Sequence, residues 1–344
     1  MGLIKLAKDV VRRQLARSGY RLTRIRQEDA AGSSSAASYA SAVDLPAGAS
    51  VELRRDNPTL KALRESYDAA NLPMGVHSLW SPDGVHSQLE MAYFRGDNVY
   101  VWQLRNVRNH ARLKYYLYSQ YVRQLDTRKL LDSLGEDGQF GCWTFDYTGF
   151  PLISRDLLDS VNELYFLDRH LQIFSRQDFN VLDIGAGYGR LAYRMSQSVA
   201  GLGLYHCTDA VAESTFLCDY YLRYRGCENK TRVIPLTAVE QALPQLKLDL
   251  VLNIHSFSEM RYDAIKGWFA LLQKMQNRYL MIVPNDPTEF LSREADGSRR
   301  DFSDVIRDAG FRQIACEPIF LDDNVCELVG VQDHMFLFER TQGQ

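Results

Sequence analysis

An acid and three glycines stand at alternate positions in this chain: Asp183, Gly185, Gly187 and Gly189. They fall where the apolar run Val181-Leu182-Asp183-Ile184 ends and before Leu191 to Met195, which reads as the opening of a helix. A turn at a strand's carboxyl end, beside a helix N-terminus, is where α/β proteins bind nucleotides. Glycines there let the backbone come within contact distance of a ligand that a Cβ would push away. The dinucleotide fingerprint G-x-G-x-x-G wants its third glycine one position later than Gly189. Asp183 at the mouth of the turn would repel a pyrophosphate, whereas it could accept hydrogen bonds from an ammonium group. The chemistry expected is recognition of a cationic amino-acid moiety carried on a nucleoside.

Three further residues could do chemistry. Asp209 ends a second apolar run about 20 residues after the glycine turn, the position from which an acid reaches ribose hydroxyls. His255 and Glu259 lie in Asn253-Ile254-His255-Ser256-Phe257-Ser258-Glu259-Met260, after a fourth apolar run, and should face the glycine turn across the crevice of the sheet. A histidine can take a proton near neutral pH from a hydroxyl, a poor acid, as that hydroxyl acts as a nucleophile. His255 is the first candidate general base and Glu259 the second. The plainer alternative is that His255 only lines a ligand site and Glu259 only opens the next helix. Alignment of the reacting atoms could also carry most of such a transfer, in which case deleting a base would cost little.

The elements that must position these residues alternate regularly. Strands are expected at 181–184, 202–207, 232–236, 248–254 and 279–283, with helices at 191–195, 212–224 and 264–275 between them. That alternation implies a doubly wound α/β parallel sheet. After a helix at 303–309, strands at 311–319 and 334–339 follow with no helix expected between them, so they should pair antiparallel. Upstream, Asn57-Pro58-Thr59 starts a helix, a strand pair is expected near 89–94 and 99–103, and 111–134 reads as one long helix carrying Tyr115, Tyr116, Tyr118 and Tyr121. Those tyrosines point to more than one face, as an aromatic sugar wall or, more plainly, as core packing. Ser154 should cap a helix whose first turn holds Asp156, where the helix dipole favours an acid.

The run Asp183, Gly185, Gly187, Gly189 resembles motif I, D/E-x-G-x-G-x-G, of the class I S-adenosylmethionine-dependent methyltransferases. The resemblance spans about 180–340 and implies their Rossmann-like seven-stranded sheet, closed by an antiparallel hairpin, after a mostly helical N-terminal region. It implies S-adenosyl-L-methionine as cofactor and S-adenosyl-L-homocysteine as product. The cofactor would be held by Asp183, Gly185, Ala186, Gly187, Gly189, Arg190, Asp209, Leu236 and Asn253. Two flanking segments, Gly149-Phe150-Pro151-Leu152-Ile153-Ser154-Arg155-Asp156-Leu157-Leu158-Asp159-Ser160 and 253–260, resemble the bacterial sugar O-methyltransferases of surface-polysaccharide gene clusters. That narrower resemblance covers roughly 56–340. It implies a hydroxyl of a sugar, glycan or glycolipid precursor as acceptor, enclosed by Trp143, Tyr147, Arg155 and Asp156. Methylation of a protein or a phenolic metabolite, or a non-catalytic scaffold, are the alternatives. Asp322, Asp323, Asp333, His334 and Glu259 offer hard ligands, but their spacing demands no metal site and none is predicted.

The remainder of the chain sets bounds. At 344 residues, 46% apolar and 24% charged, it has ordinary globular composition. A net charge of −3 gives no global field for nucleic acid, and no nucleic-acid partner is expected. Six cysteines without metal-like spacing read as reduced thiols in the cytoplasm. Residues 3–26 alternate leucines with lysines and arginines. They suit an amphipathic helix on an anionic bilayer, peripheral to the inner face of the plasma membrane, or on a partner, or simply a solvated terminus. The expected organisation is a basic arm at 1–28, a flexible linker at 29–55, an acceptor-side helical region at 56–165 and the methyltransferase domain at 166–341. The oligomeric state is left open by the sequence.

Overall fold

The computed structural model describes residues 45–76, 79–80, 88–96, 100, 111–275 and 277–341. The expected basic arm lies outside the described residues. The described elements belong to a compact unit that begins at Ser41. Helices α1 (Pro58–Ala70), α2 (Ala111–Leu125) and α3 (Arg155–Leu171) precede the sheet. There follow β1 (Phe179–Ile184), α4 (Arg190–Ser198), β2 (Leu202–Thr208), α5 (Ala212–Tyr224), β3 (Thr231–Val233), β4 (Leu250–Ile254), α6 (Tyr262–Gln273), β5 (Tyr279–Val283), α7 (Ser303–Asp308), β6 (Phe311–Pro318), α8 (Asp323–Val329) and β7 (His334–Arg340).

The seven strands form one sheet in the order β3-β2-β1-β4-β5-β7-β6. The first five run parallel, and β7 inserts antiparallel to both β5 and β6. This is the methyltransferase sheet with its closing hairpin that the sequence leads one to expect. The order reverses between β1 and β4, which opens a crevice at the carboxyl ends of those strands. Central parallel strands are covered on both faces, and alternate residues of β1 serve two different cores. Leu182 and Ile184 join the apolar cluster that includes α5 and α6, whereas Val181 joins the cluster that includes α2, α3 and α4. Asp183, in step with Val181, is carried into that second layer and buried.

Local signals explain most boundaries. Asn57 caps α1 by accepting the Thr59 N–H at 2.9 Å, and Ser154 caps α3 by accepting the Leu157 N–H at 3.0 Å. The expected helix over 111–134 is broken after Leu125, because the Asp126 carboxylate takes the N–H groups of Leu130 and Leu131 and caps a separate turn at Leu130–Leu134. Of the four tyrosines, Tyr115, Tyr118 and Tyr121 are buried and Tyr116 is exposed. The strand expected at 89–94 is instead a 3-10 turn at Met91–Tyr93, tied down where Arg95 donates its backbone N–H to the Phe140 carbonyl. Between the last two strands stands α8, which sequence periodicity did not show. Asp322 caps it through the N–H groups of Asn324 and Val325, and Gly330 at φ 77° ends it. β3 is shorter than expected and stops before Pro235, after which the chain enters a 3-10 turn at Leu236–Ala238.

Candidate active site

The crevice is a cleft floored by the glycine turn and walled by the ends of β2 and β4, the start of α5, and Met74, Val76, Trp80 and Tyr100 from the N-terminal region. Asp183, Gly185, Ala186, Gly187, Arg190, Asp209, His255 and Glu259 all line it. The structure thus brings together the two candidate proton acceptors and most of the expected cofactor set.

All three glycines of the turn have positive φ, at 78°, 57° and 83°. The reason they must be glycine is only partly the expected one. A Cβ on Gly185 would lie 2.0 Å from the Ser256 hydroxyl oxygen, and one on Gly189 would lie 2.9 Å from the Cys218 sulfur. Those two positions are closed by the protein's own packing. At Gly187 the nearest atoms are in the Tyr100 ring at 3.5 Å, so this is the glycine whose missing Cβ faces the cleft. The backbone N–H groups of the turn are already engaged. Gly185 and Ala186 donate to the Thr208 carbonyl, Gly189 donates to the Ala186 carbonyl, and Gly187 donates to Asp209 Oδ2 at 3.0 Å. A nest of free amides, which phosphate binding needs, is therefore not what these four supply.

Negative charge dominates the cleft instead. Asp183 accepts the Tyr205 hydroxyl at 2.8 Å, and burial still pushes its carboxyl up to about 6. Asp209 accepts the N–H groups of Gly187 and Val211 through its two oxygens. Burial pushes it up to about 7 despite those bonds, and Asp183 and Glu259 add to the rise. Glu259 accepts the Trp80 indole N–H at 2.6 Å and is likewise raised by burial. Arg190, the one guanidinium among the described lining residues, is clamped by both oxygens of Glu163 at 2.8 and 2.9 Å. The cleft thus gathers three carboxyl groups, and the one guanidinium among its described lining residues is already paired with Glu163.

His255 sits in the left-handed region at φ 66°, an uncommon place for a non-glycine residue. Its backbone is fixed on both sides, donating to the Val283 carbonyl at 2.7 Å and accepting from the Ser258 N–H at 3.0 Å. Nδ1 of its ring is buried without a hydrogen-bond partner. Burial holds the ring's pKa below its ordinary value, with Asp333 pulling the other way. A neutral imidazole with an unclaimed ring nitrogen is equipped to accept a proton.

Other expected site residues stand elsewhere. Asn253 is buried behind the cleft. Its Nδ2 donates to the Ile184 carbonyl at 2.8 Å and to Ser256 Oγ at 2.6 Å, and its Oδ1 accepts from the Phe257 N–H, so it latches the end of β4 to the end of β1. Leu236 is buried against Gly75 and donates its N–H to the Tyr67 hydroxyl at 2.9 Å. Trp143, Tyr147, Arg155 and Asp156, expected to enclose the acceptor, are not among the described residues that line the cleft. Tyr147 donates its hydroxyl to the Arg112 carbonyl at 2.6 Å and packs beside Tyr116 and Phe150. Arg155 pairs with Asp159 at 3.1 Å, and its charge helps to lower the pKa of His255.

Asp156 belongs to a buried ionic cluster. It meets Arg95 at 3.1 Å and Arg194 at 3.2 Å, and both arginines also reach Glu136, at 2.8 and 3.0 Å. The Tyr188 hydroxyl of the glycine turn donates to Asp156 at 2.5 Å. What sequence reasoning missed, Trp80 and Tyr100, stacks at 5.3 Å between centroids and lines the cleft from residues remote in sequence. No periodicity marks position 80 or 100. Among the described residues no group of three or more His, Cys, Asp and Glu is placed to hold a metal ion, and no helix is long and apolar enough to cross a membrane. Asp322 is taken up in capping α8.

No protein-family model matches the chain, and no curated protein matches it in sequence. Solved structures do resemble it in fold. A SAM-dependent methyltransferase from Aquifex aeolicus aligns over 50% of this chain and 87% of its own, with 16% identity and a TM-score of 0.38. Magnesium protoporphyrin IX methyltransferase from Synechocystis PCC 6803, solved with bound SAM, aligns over 65% of this chain and 97% of its own at 15% identity and a TM-score of 0.38. The CcbJ methyltransferase of Streptomyces caelestis aligns over 54% and 90% at 11% identity, again with a TM-score of 0.38.

Proposed function

We propose that the chain is an S-adenosylmethionine-dependent O-methyltransferase that methylates a hydroxyl of a bacterial sugar, glycan or glycolipid precursor. The observation that carries the reading is the charge of the cleft: Asp183, Asp209 and Glu259 converge over a turn whose amides are already engaged. Three acidic side chains converging on one cleft suit an occupant that brings positive charge and hydroxyl donors. S-adenosylmethionine has both, an ammonium and a ribose diol, and when bound it supplies a methyl group activated on a sulfonium. Asp183 would hold the ammonium, directly or through water, and Asp209 the ribose, while Gly187 leaves room for the close approach. His255 would take the proton that the acceptor hydroxyl loses, and Glu259 is the second candidate for that role. The sugar as acceptor rests on the resemblance carried by residues 149–160 and 253–260. Residues 3–26 would bring the enzyme to an anionic membrane surface or a partner.

Calorimetry with S-adenosylmethionine tests the reading directly. Binding is expected in the wild type, to be lost in Gly187→Val, where a β-branched residue at φ 57° meets Tyr100, and to weaken in Asp209→Ala. Wild-type protein that does not bind would sink the proposal. Methyl transfer from labelled donor to a saccharide panel, compared with catechols and peptides, tests the acceptor class. Full turnover by His255→Ala would remove the general base while leaving the rest standing.

A further inference from the structure

We propose that Glu259, fixed by Trp80, completes a charge-selective cage in the cleft, one that holds the cationic methyl donor and releases its neutral product. The inference rests on the reading of the cleft as the S-adenosylmethionine site. Trp80 and Tyr100 are spanned between the two sides of the crevice. At one end the Trp80 indole N–H donates to Glu259 Oε2 at 2.6 Å, just after β4. At the other the Tyr100 hydroxyl and the Ser214 hydroxyl of α5 lie 2.9 Å apart. The two rings stack between these ends, and the Tyr100 ring stands over Gly187 and meets Tyr188 edge-on.

Aromatic faces and carboxylates share one electrostatic property: both attract a cation, and both do so more strongly away from water. Methyl transfer changes the charge at the place they surround. When the acceptor hydroxyl oxygen supplies the electron pair of a new bond to the methyl carbon and its proton passes to His255, the pair of the broken carbon–sulfur bond stays on sulfur, and the sulfonium becomes a neutral thioether. The ammonium, carboxylate and ribose are the same in donor and product, so contacts to those groups cannot tell the two apart. Glu259 and the ring pair can. A tight donor and a loose product relieve product inhibition without any movement of the glycine turn.

Calorimetry at pH 8 and low salt, with S-adenosylmethionine and S-adenosylhomocysteine as probes, decides the matter. Wild-type protein is expected to bind the donor at least about tenfold more tightly than the product. Glu259→Gln should shrink that ratio about fivefold by weakening the donor alone, and Trp80→Phe, which keeps a ring but loses the N–H, should shrink it by about twofold to threefold. Unchanged product affinity in each variant shows that the site is still folded. Equal affinities in the wild type, or a ratio that Glu259→Gln leaves untouched, would overturn the cage while keeping the donor site. Binding of neither ligand would remove the donor reading and the cage with it.

Discussion

Two groups of buried acids lie on either side of the glycine turn and behave in opposite ways. Behind it, Asp156 and Glu136 are enclosed with Arg95 and Arg194. Burial alone would raise both carboxyls, but the two arginines outweigh it, so Asp156 lies below its ordinary value and Glu136 falls to about 2. In front, Asp183 and Asp209 are buried to a similar degree and are raised to about 6 and about 7. Residue type and depth are alike; the placement of arginine differs. The protein completes its own charge pairing where an acid is structural and leaves it incomplete where an acid faces the cleft. The incomplete set marks the functional site.

The contrast breaks most visibly in stability. Asp156→Asn strands two buried guanidinium groups and should cost about 3–5 kcal/mol of unfolding free energy, read from denaturant titration at pH 8. Asp183→Asn should do the reverse at that pH and raise stability by up to about 2 kcal/mol, while weakening donor binding, because the wild-type fold holds that carboxylate charged against its preference. If the two variants lost stability equally, the distinction between the clusters would be gone.

Protons give the next test. A carboxyl raised in the folded state binds protons there that the unfolded chain has released. The burden of Asp183 and Asp209 is therefore full above about pH 7 and is relieved as the pH falls through about 6 towards 4. Glu136 has the opposite sign: its stabilisation is full above its unfolded value and is lost as the pH falls towards about 2. A cationic ligand needs the cleft acids ionised, so S-adenosylmethionine affinity should drop about tenfold between pH 8 and pH 5.5, as calorimetry at both would show. Flat affinity across that range would mean that neither acid meets the ligand's charge. The smallest effect belongs to the link between the clusters: Tyr188→Phe removes the hydroxyl bonded to Asp156 and should cost about 1 kcal/mol.

Much of the fold was legible because it depends on local pattern. The apolar runs, the caps at Asn57 and Ser154, and the spacing of Asp183, Gly187 and Asp209 carry their meaning in neighbouring residues. What was not legible depends on pairing at a distance. Arg95 and Arg194 are ordinary surface residues by composition, and only the fold buries them on Asp156, Arg95 from the turn after Met91–Tyr93 and Arg194 from α4. Trp80 becomes a site residue by meeting Glu259, 179 positions later. The boundary expected between 165 and 166 falls inside α3, and that helix packs on α2 before it and α4 after it, so no local break marks where a helical region gives way to the sheet. Two of the three motif glycines answer to Ser256 and Cys218 rather than to a ligand, a distinction spacing alone cannot make.

Tyr188, sitting within the glycine turn yet bonded to Asp156 behind it, fixes the thermodynamic character of the site. Because the turn is moored to a buried ionic cluster, its backbone freedom is already lost when the chain folds, and a ligand that settles on it orders nothing new in the floor. Whatever ordering binding does require is left to the side chains above the turn, which the ionic cluster does not moor. The unfavourable entropy of association should therefore arise in the roof, and variants of the roof, more than variants of the floor, should shift the balance between enthalpy and entropy at constant affinity.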